Sequence, residues 1–493
     1  MFPKDFLFGA SMSGFQVEMG YAKGDIDANT DWFVWVREPE NLINAVVSGH
    51  LPEYGVGYWY NFPTIHKLAS DFGMNVLRTN IEWSRIFPTP TFDVKVEIER
   101  TESGIVSVQI DERALKQLDE LANREAVEHY REIFSDMRKR GLKVFVNLIH
   151  FTLPIWLHDP IAVHRRQPTD KLGWASENTI VEFTKFAAYV VWKFDDLIDM
   201  YSTFNEPNVV SQMGYVMSVS GFPPGIFDTE KFFNSFVNQI VAHARAYDAM
   251  KKLTDKPIGL IYSASVYEST DGDAELEESV THFMNFFFLD ALHSGTMFFR
   301  TREDLAGRLD FIGLNYYTRT VIQRSLQELS FGPVSMSWSI VPGYGYACQP
   351  AGFSKDGRPV SDFGWETYPE GLLKLLRAFD ERYALPIYVT ENGVADARDW
   401  LRPYHLVAHM YAVEKAIEEG LNVKGYLHWS IVDNYEWAKG YHMRFGMAET
   451  NYQTKSYTPR PSMYIFREIV KNLSTEKFRS YLQSPYQIWK QNV

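Results

Sequence analysis

Two glutamates draw attention through the residues around them. Glu206 lies in Thr203-Phe-Asn-Glu-Pro207 and Glu391 in Val389-Thr-Glu-Asn-Gly393, each at the end of a short β-rich run. Breaking a glycosidic bond needs a proton on a poor leaving oxygen and negative charge beside a developing oxocarbenium ion. Two carboxyl groups supply both when their surroundings separate their pKa values. Apolar or like-charged surroundings keep one protonated, and donors or a cation keep the other ionised. Arg78 is a candidate cation and Tyr317 a candidate donor for Glu391. Other run ends carry Asn147-Leu-Ile-His150-Phe151, Asn315-Tyr316-Tyr317 and His428-Trp429-Ser430, which add amides, a histidine and aromatics. This inventory suits cleavage of a sugar. Residue types alone leave another reading open, because a Glu at a strand end also serves as a salt-bridge partner or as the negative charge at a helix N-terminus.

Something must bring those ends together. β-rich runs occur at Leu7–Ser11, Asn75–Asn80, Lys143–Ile149, Met200–Phe204, Pro257–Ser263, Leu309–Asn315, Pro386–Thr390 and Val423–Trp429. Helix-period segments separate most of them: Ala126–Arg140, Ile180–Phe194, Phe232–Lys252, Glu370–Arg382 and Arg402–Gly420. Strands alternating with helices predict parallel βαβ units. Eight units close into an α/β fold, a single (β/α)8 TIM barrel with long loop insertions at its C-terminal face, where such barrels carry their chemistry. A doubly wound open sheet is the alternative. Ala28–Trp59 reads as a long loop above the first strand, and Thr89–Ile110 alternates with period two about Glu102-Ser103-Gly104, a hairpin signal. No linker divides the chain, so residues 1–493 are expected to form one catalytic domain.

Composition narrows the partners. The chain has 493 residues, with 62 acidic against 49 basic, a formal charge of −13. That balance argues against nucleic acid and anionic membranes. No run reaches the ~18 apolar residues of a membrane helix, and the N-terminus lacks the features of a signal peptide, so a cytoplasmic location is expected. Cys348 is the only cysteine. His405-Leu-Val-Ala-His409 has the spacing of a zinc helix, but Leu406 stands where a metalloprotease carries its Glu. A packed or solvated helix face is the reading adopted, and no metal or cofactor is expected. The 13 Trp, 28 Tyr and 35 Phe fit either a core or a sugar pocket.

Taken together, the motifs resemble those of family-1 glycoside hydrolases. Besides the two glutamate motifs, Phe6-Leu-Phe-Gly-Ala, Gly14-Phe-Gln-Val-Glu18, Glu82-Trp-Ser-Arg-Ile-Phe-Pro88, Asp310-Phe-Ile-Gly-Leu-Asn-Tyr-Tyr317 and His428-Trp-Ser…Asp433-Asn-Tyr-Glu-Trp437 occur in the family's order. The Asn29–Asn41 and Ser48–Gly57 segments look most like the archaeal β-glycosidases of the family. The resemblance implies a retaining double displacement, with Glu391 as nucleophile and Glu206 as acid/base. It implies that Gln16, His150 and Glu436 bond ring hydroxyls and that Asn205 holds the 2-hydroxyl. Trp429 would form a stacking floor, Trp437 would donate its indole N–H, and Trp365 would flank the leaving group. Arg78, Asn315 and Tyr317 would support the carboxyls.

Two departures stand side by side: Phe151 where the family usually has Trp, and Thr152 where Pro is common. Relatives acting on 6-phosphorylated sugars carry Ser, Lys and Tyr where this chain has Glu436, Met443 and Phe445, so neutral sugars are favoured. Glu206 also sets the chain apart from thioglucosidases, which have Gln there. The expected substrates are small β-glucosides, β-galactosides and oligosaccharides, with transglycosylation at the same intermediate. The alternative from another class is an inactive barrel that only binds sugars or proteins. A homo-oligomer, a tetramer in archaeal relatives, is implied by resemblance alone.

Overall fold

The computed structural model describes residues 1–298 and 300–482. Eight strands form a closed barrel: β1 Leu7–Ser11, β2 Val76–Asn80, β3 Lys143–Ile149, β4 Met200–Asn205, β5 Ile258–Ser263, β6 Ile312–Asn315, β7 Ile387–Asn392 and β8 Val423–Trp429. Each pairs in parallel with its neighbours in chain order, and β8 returns to β1. Parallel strands are covered on both faces, so even Arg78, Thr79 and Asn80 of β2 are buried. Leu7, Val76, Phe145, Met200, Ile261 and Leu427 meet in one interior cluster, while the outward side chains pack on the surrounding helices.

A helix follows every strand: Tyr58–Asp71, Arg124–Lys139, Asn178–Phe194, Thr229–Lys251, Phe287–Ser294, Pro369–Tyr383, Arg402–Glu418 and Pro461–Asn472. Their starts are written locally. Asn123 and Asp228 accept from the backbone N–H of Ala126 and Lys231, capping their helices. The sequence-predicted strands and helices agree with these to within a few residues at each end, and the open-sheet alternative is overturned by the closed pairing. The outcome differs for Ala28–Trp59. It is not an open loop but a chain of short helices, Asp31–Trp35, Pro39–Ile43 and the 3-10 turn Pro52–Tyr54, because Trp32 and Trp35 bury themselves completely.

The excursion after β2 contains the hairpin Glu97–Thr101/Gly104–Gln109. A second hairpin, Thr320–Phe331 with Val334–Ile340, follows β6 and pairs with Tyr267–Ser269; sequence reasoning missed it. His405 and His409 are buried in Arg402–Glu418 with ring centroids 3.9 Å apart, so of the packed and solvated faces their spacing left open the structure has the packed one. No helix among the described residues is long and apolar enough to cross a membrane.

Candidate active site

At the C-terminal end of the barrel lies a cavity of about 400 Å³, with Glu206, Glu391 and Glu436 among its walls. The backbone departs from regularity where it delivers them. The β6–β7 register shifts so that Asn315 pairs with Glu391, and the β4–β5 register shifts before Asn205. Such irregularities re-aim side chains beside sites. Gly393 is needed where β7 ends, since a Cβ there would fall 1.8 Å from the Trp429 carbonyl oxygen. Glu206 has φ 50° and ψ 59° immediately before Pro207, the first residue of helix Pro207–Tyr215. Phe151 and Trp437 also have positive φ, 71° and 48°. A non-glycine residue held this way costs about 1–3 kcal/mol, and all three line the cavity.

A chain of hydrogen bonds links the two glutamates of the motifs. Arg78 Nη1 donates to Glu391 Oε1 at 2.6 Å, and the Tyr317 hydroxyl donates to Glu391 Oε2 at 2.6 Å. Arg78 Nη2 donates to Asn205 Oδ1 at 2.5 Å. Asn315 Nδ2 donates to the same oxygen at 3.0 Å and to Glu206 Oε1 at 2.8 Å. Asn315 is itself fixed by Thr390, whose hydroxyl donates to its Oδ1 at 2.7 Å. Glu391 therefore has a full cation and a phenol, whereas Glu206 has one neutral amide.

The electrostatics follow. Burial, then the Glu391 charge, pushes Glu206 up to about 8, against the opposing pull of Asn315 and Arg78. Burial and Glu391 likewise push Glu436 up to about 8. Burial and the Arg78 cation hold His150 well below the usual histidine range, so its ring is neutral. Burial and the Glu391 and Glu206 charges raise Tyr317, keeping it a proton donor.

The remaining sequence-predicted residues gather here too. Gln16 Nε2 donates to the Tyr435 carbonyl at 2.9 Å and reaches Glu436 Oε2 at 3.4 Å. His150 stacks near Trp429 and Trp437, with centroids 5.7 and 5.9 Å away, and Asn205 Nδ2 lies 3.2 Å from His150 Nε2. Trp365 stands on the other side, 5.2 Å from the Tyr317 ring and 4.3 Å from Phe363. Arg78 and Asn315 sit behind the wall rather than in it, and Gln16 is buried at its edge beside Glu436.

The sequence pattern described as Glycosyl hydrolase family 1 matches residues 1–97 and 119–475. The chain belongs to that family. This glycoside hydrolase is 48% identical over 476 residues to a β-galactosidase of Saccharolobus solfataricus, covering 96% of this chain and 95% of the relative. Its fold superposes on Fpglu1 of Fervidobacterium pennivoraus with TM-score 0.91 and 51% identity, covering 98% of each chain. The β-glycosidase of the hyperthermophile Thermosphaera aggregans gives TM-score 0.90 and 47% identity, covering 96% of this chain and 97% of that one. The family pattern omits residues 98–118, which include most of the first hairpin.

Sequence reasoning missed the far wall. Trp338 and Ile340 from the second hairpin, with Tyr267, Met213, Met284 and Tyr346, close the cavity of the glycosidase beyond Glu206. The signal was present: Val334-Ser-Met-Ser-Trp-Ser-Ile340 alternates perfectly after a Gly332-Pro333 turn. Several polar groups on this wall are turned to protein partners, while Asn208 Oδ1 has none among the described residues. Trp338 Nε1 points to Met336 Sδ at 3.3 Å, Asn208 Nδ2 donates to the Ser263 carbonyl at 2.9 Å, and the Ser265 hydroxyl donates to the Thr318 carbonyl at 3.0 Å.

Proposed function

We propose that this family 1 β-glycosidase removes terminal non-reducing β-D-glucosyl and β-D-galactosyl residues by a retaining double displacement. The observation that carries the proposal is the opposed settings of Glu391 and Glu206 in one cavity. A Glu391 oxygen, paired with Arg78 and steadied by Tyr317, attacks the anomeric carbon. Glu206, neutral until about pH 8, gives its proton to the departing glycosidic oxygen. The C–O bond to the leaving group breaks as the Glu391–sugar bond forms. Glu206, now a carboxylate, takes a proton from water as that water attacks the same carbon and releases Glu391. An acceptor sugar in place of water gives transglycosylation.

Around the bound sugar, Gln16, His150 and Glu436 bond ring hydroxyls and Asn205 bonds the 2-hydroxyl. Trp429 forms the floor, and Trp437 offers its indole N–H. Trp365 stands beside the leaving group, where the apolar far wall begins. A phosphate at the Glu436 end would meet a buried carboxyl group, which favours neutral sugars. The S. solfataricus relative, a β-galactosidase, supports the galactoside assignment.

Mixing the protein with an activated 2-deoxy-2-fluoro-β-glucoside or its galacto analogue tests the mechanism. Fluorine weakens the oxocarbenium-like transition state and strands the intermediate. One sugar mass on the peptide containing Glu391 is expected. Turnover with no trapped adduct, or an adduct on another carboxyl, would overturn the assignment.

A further inference from the structure

We propose that Glu82 and Thr152 form a latch that sets the sugar-binding end of the cavity, making both positioning residues for the hydrolysis proposed above, on which this inference rests. Neither side chain is part of the cavity wall. Glu82 follows β2, Thr152 follows β3, and the Gly14–Val17 turn that carries Gln16 follows β1. A single carboxyl joins the three. The Thr152 hydroxyl donates to Glu82 Oε2 at 2.7 Å, while Oε1 accepts from the Phe15 N–H and from Asn80 Nδ2, both at 2.9 Å. Asn80 Oδ1 in turn accepts from the Gly14 N–H at 2.6 Å. The turn lies against the carboxyl so closely that a Cβ on Gly14 would come 2.8 Å from Glu82 Oε1.

The latch holds something that would otherwise relax. The Thr152 N–H donates to the His150 carbonyl at 2.9 Å, closing a three-residue turn over Phe151 with φ 71°. Turns of this hand are strained and persist where their surroundings over-determine them. The N–H bond closes the turn from within, and the hydroxyl bond to Glu82 anchors it from outside. The held ring is the one that matters: Phe151 packs 5.0 Å from Trp437 and 4.9 Å from His150. On the other side, Phe15 stacks on Trp437 at 5.6 Å and 3°. Glu82 therefore fixes Gln16 through Phe15, and His150 and Phe151 through Thr152, relative to one another. Thr152 makes this possible on both counts, because a proline there would have neither the N–H nor the hydroxyl. Burial, then Glu18 and Asp27, raises Glu82 to about 8; when protonated, or as a glutamine, it keeps Oε1 as the acceptor for Phe15 and Asn80 and donates from its other position to the Thr152 oxygen, so the latch bond persists with its direction reversed.

The test uses the full chain and three variants, T152V, T152S and E82Q. For each, kcat and KM are measured with nitrophenyl β-glucoside and β-galactoside, free glucose and galactose serve as competitive inhibitors, and labelling at Glu391 is followed. T152V is expected to raise KM and both inhibition constants by about tenfold and to change the glucoside-to-galactoside ratio, with kcat within about threefold. T152S restores the hydroxyl and should return KM to within about twofold of the parent, as should E82Q. Unchanged KM and sugar ratio in T152V would overturn the latch even if its melting temperature falls. So would T152S as impaired as T152V, or a loss confined to kcat. Parent protein that hydrolyses but is not labelled at Glu391 would sink the mechanism instead, while the sugar inhibition constants still judge the latch.

Discussion

The two ends of the cavity are made in different ways. The sugar end is built from the ends of barrel strands, and its polar side chains hold one another: Arg78, Asn205, Asn315 and Tyr317 form an unbroken set of bonds around Glu206 and Glu391. The far end is built from inserted segments and offers methionines, tryptophan and isoleucine, with several of its polar atoms occupied elsewhere. The contrast teaches where each kind of specificity resides. Orientation-dependent recognition of hydroxyls needs rigid, preorganised donors and acceptors. Shape-tolerant acceptance of a leaving group needs only apolar area, for which methionine is well suited.

The largest effects should come from the carboxyls. Glu391→Ala is expected to lower kcat by about 10⁴-fold or more, read with an aryl β-galactoside. Glu206→Gln should cost about 10²–10⁴-fold with a poor leaving group, and far less with dinitrophenyl, which departs without a proton. Equal losses with both leaving groups would remove Glu206 from the acid role. Because Glu206 must keep its proton to act, kcat/KM should fall as pH rises through about 8, and that limb should vanish in E206Q.

Effects at the far end should be smaller and different in kind. Trp338→Ala is expected to lower kcat/KM for aryl glycosides by about tenfold through lost packing, while the inhibition constant of free galactose stays put. If galactose binding weakens equally, the division between the ends is wrong. The difference also has a signature in stability. Glu82, Glu206 and Glu436 are each raised to about 8, above the ordinary carboxylate value of about 4.3 in an unfolded chain. They gain protons on folding, so their contribution is complete below the unfolded value and is lost as pH rises through about 8. Each group changes stability by at most about 1.4 kcal/mol per pH unit. Above about pH 7, where the buried histidines no longer titrate in either state, melting temperature should decline toward pH 9, less steeply in E206Q, with no change of slope in W338A. Least of all, replacing the tip Glu102-Ser103 by Asn-Gly should leave both substrate and sugar constants unchanged, because no residue of that hairpin lines the cavity.

Legibility divides along the same line. The barrel was readable because β-branched and aromatic runs recur between helix-period segments, as at Lys143–Ile149 ahead of Asn178–Phe194. Strand ends then placed Glu206, Glu391 and His150 together, and the pairing of Arg78 and Tyr317 with Glu391 followed from their positions within β2 and just beyond β6. Three other features were not readable. The alternation of Ser335, Ser337 and Ser339 with apolar residues announces the strand bearing Trp338, but nothing local says that its apolar face closes a cavity. The short helices within Ala28–Trp59 form only because Trp32 and Trp35 find burial from distant parts of the chain, Phe15, Phe222 and Trp437 among them. The Glu82–Thr152 bond spans 70 positions, and no periodicity announces such a contact.

The second hairpin also bears on how such an enzyme diversifies. It leaves the barrel after β6, pairs among the described residues with itself and with Tyr267–Ser269, and contributes Trp338 and Ile340 to the cavity. It behaves as a cassette. An exchange of this segment between relatives would retune the choice of leaving group in one recombination event, whereas the interlocked strand ends must change together or not at all. Novelty in this molecule should therefore accumulate first on the side of the cavity that the sugar does not occupy.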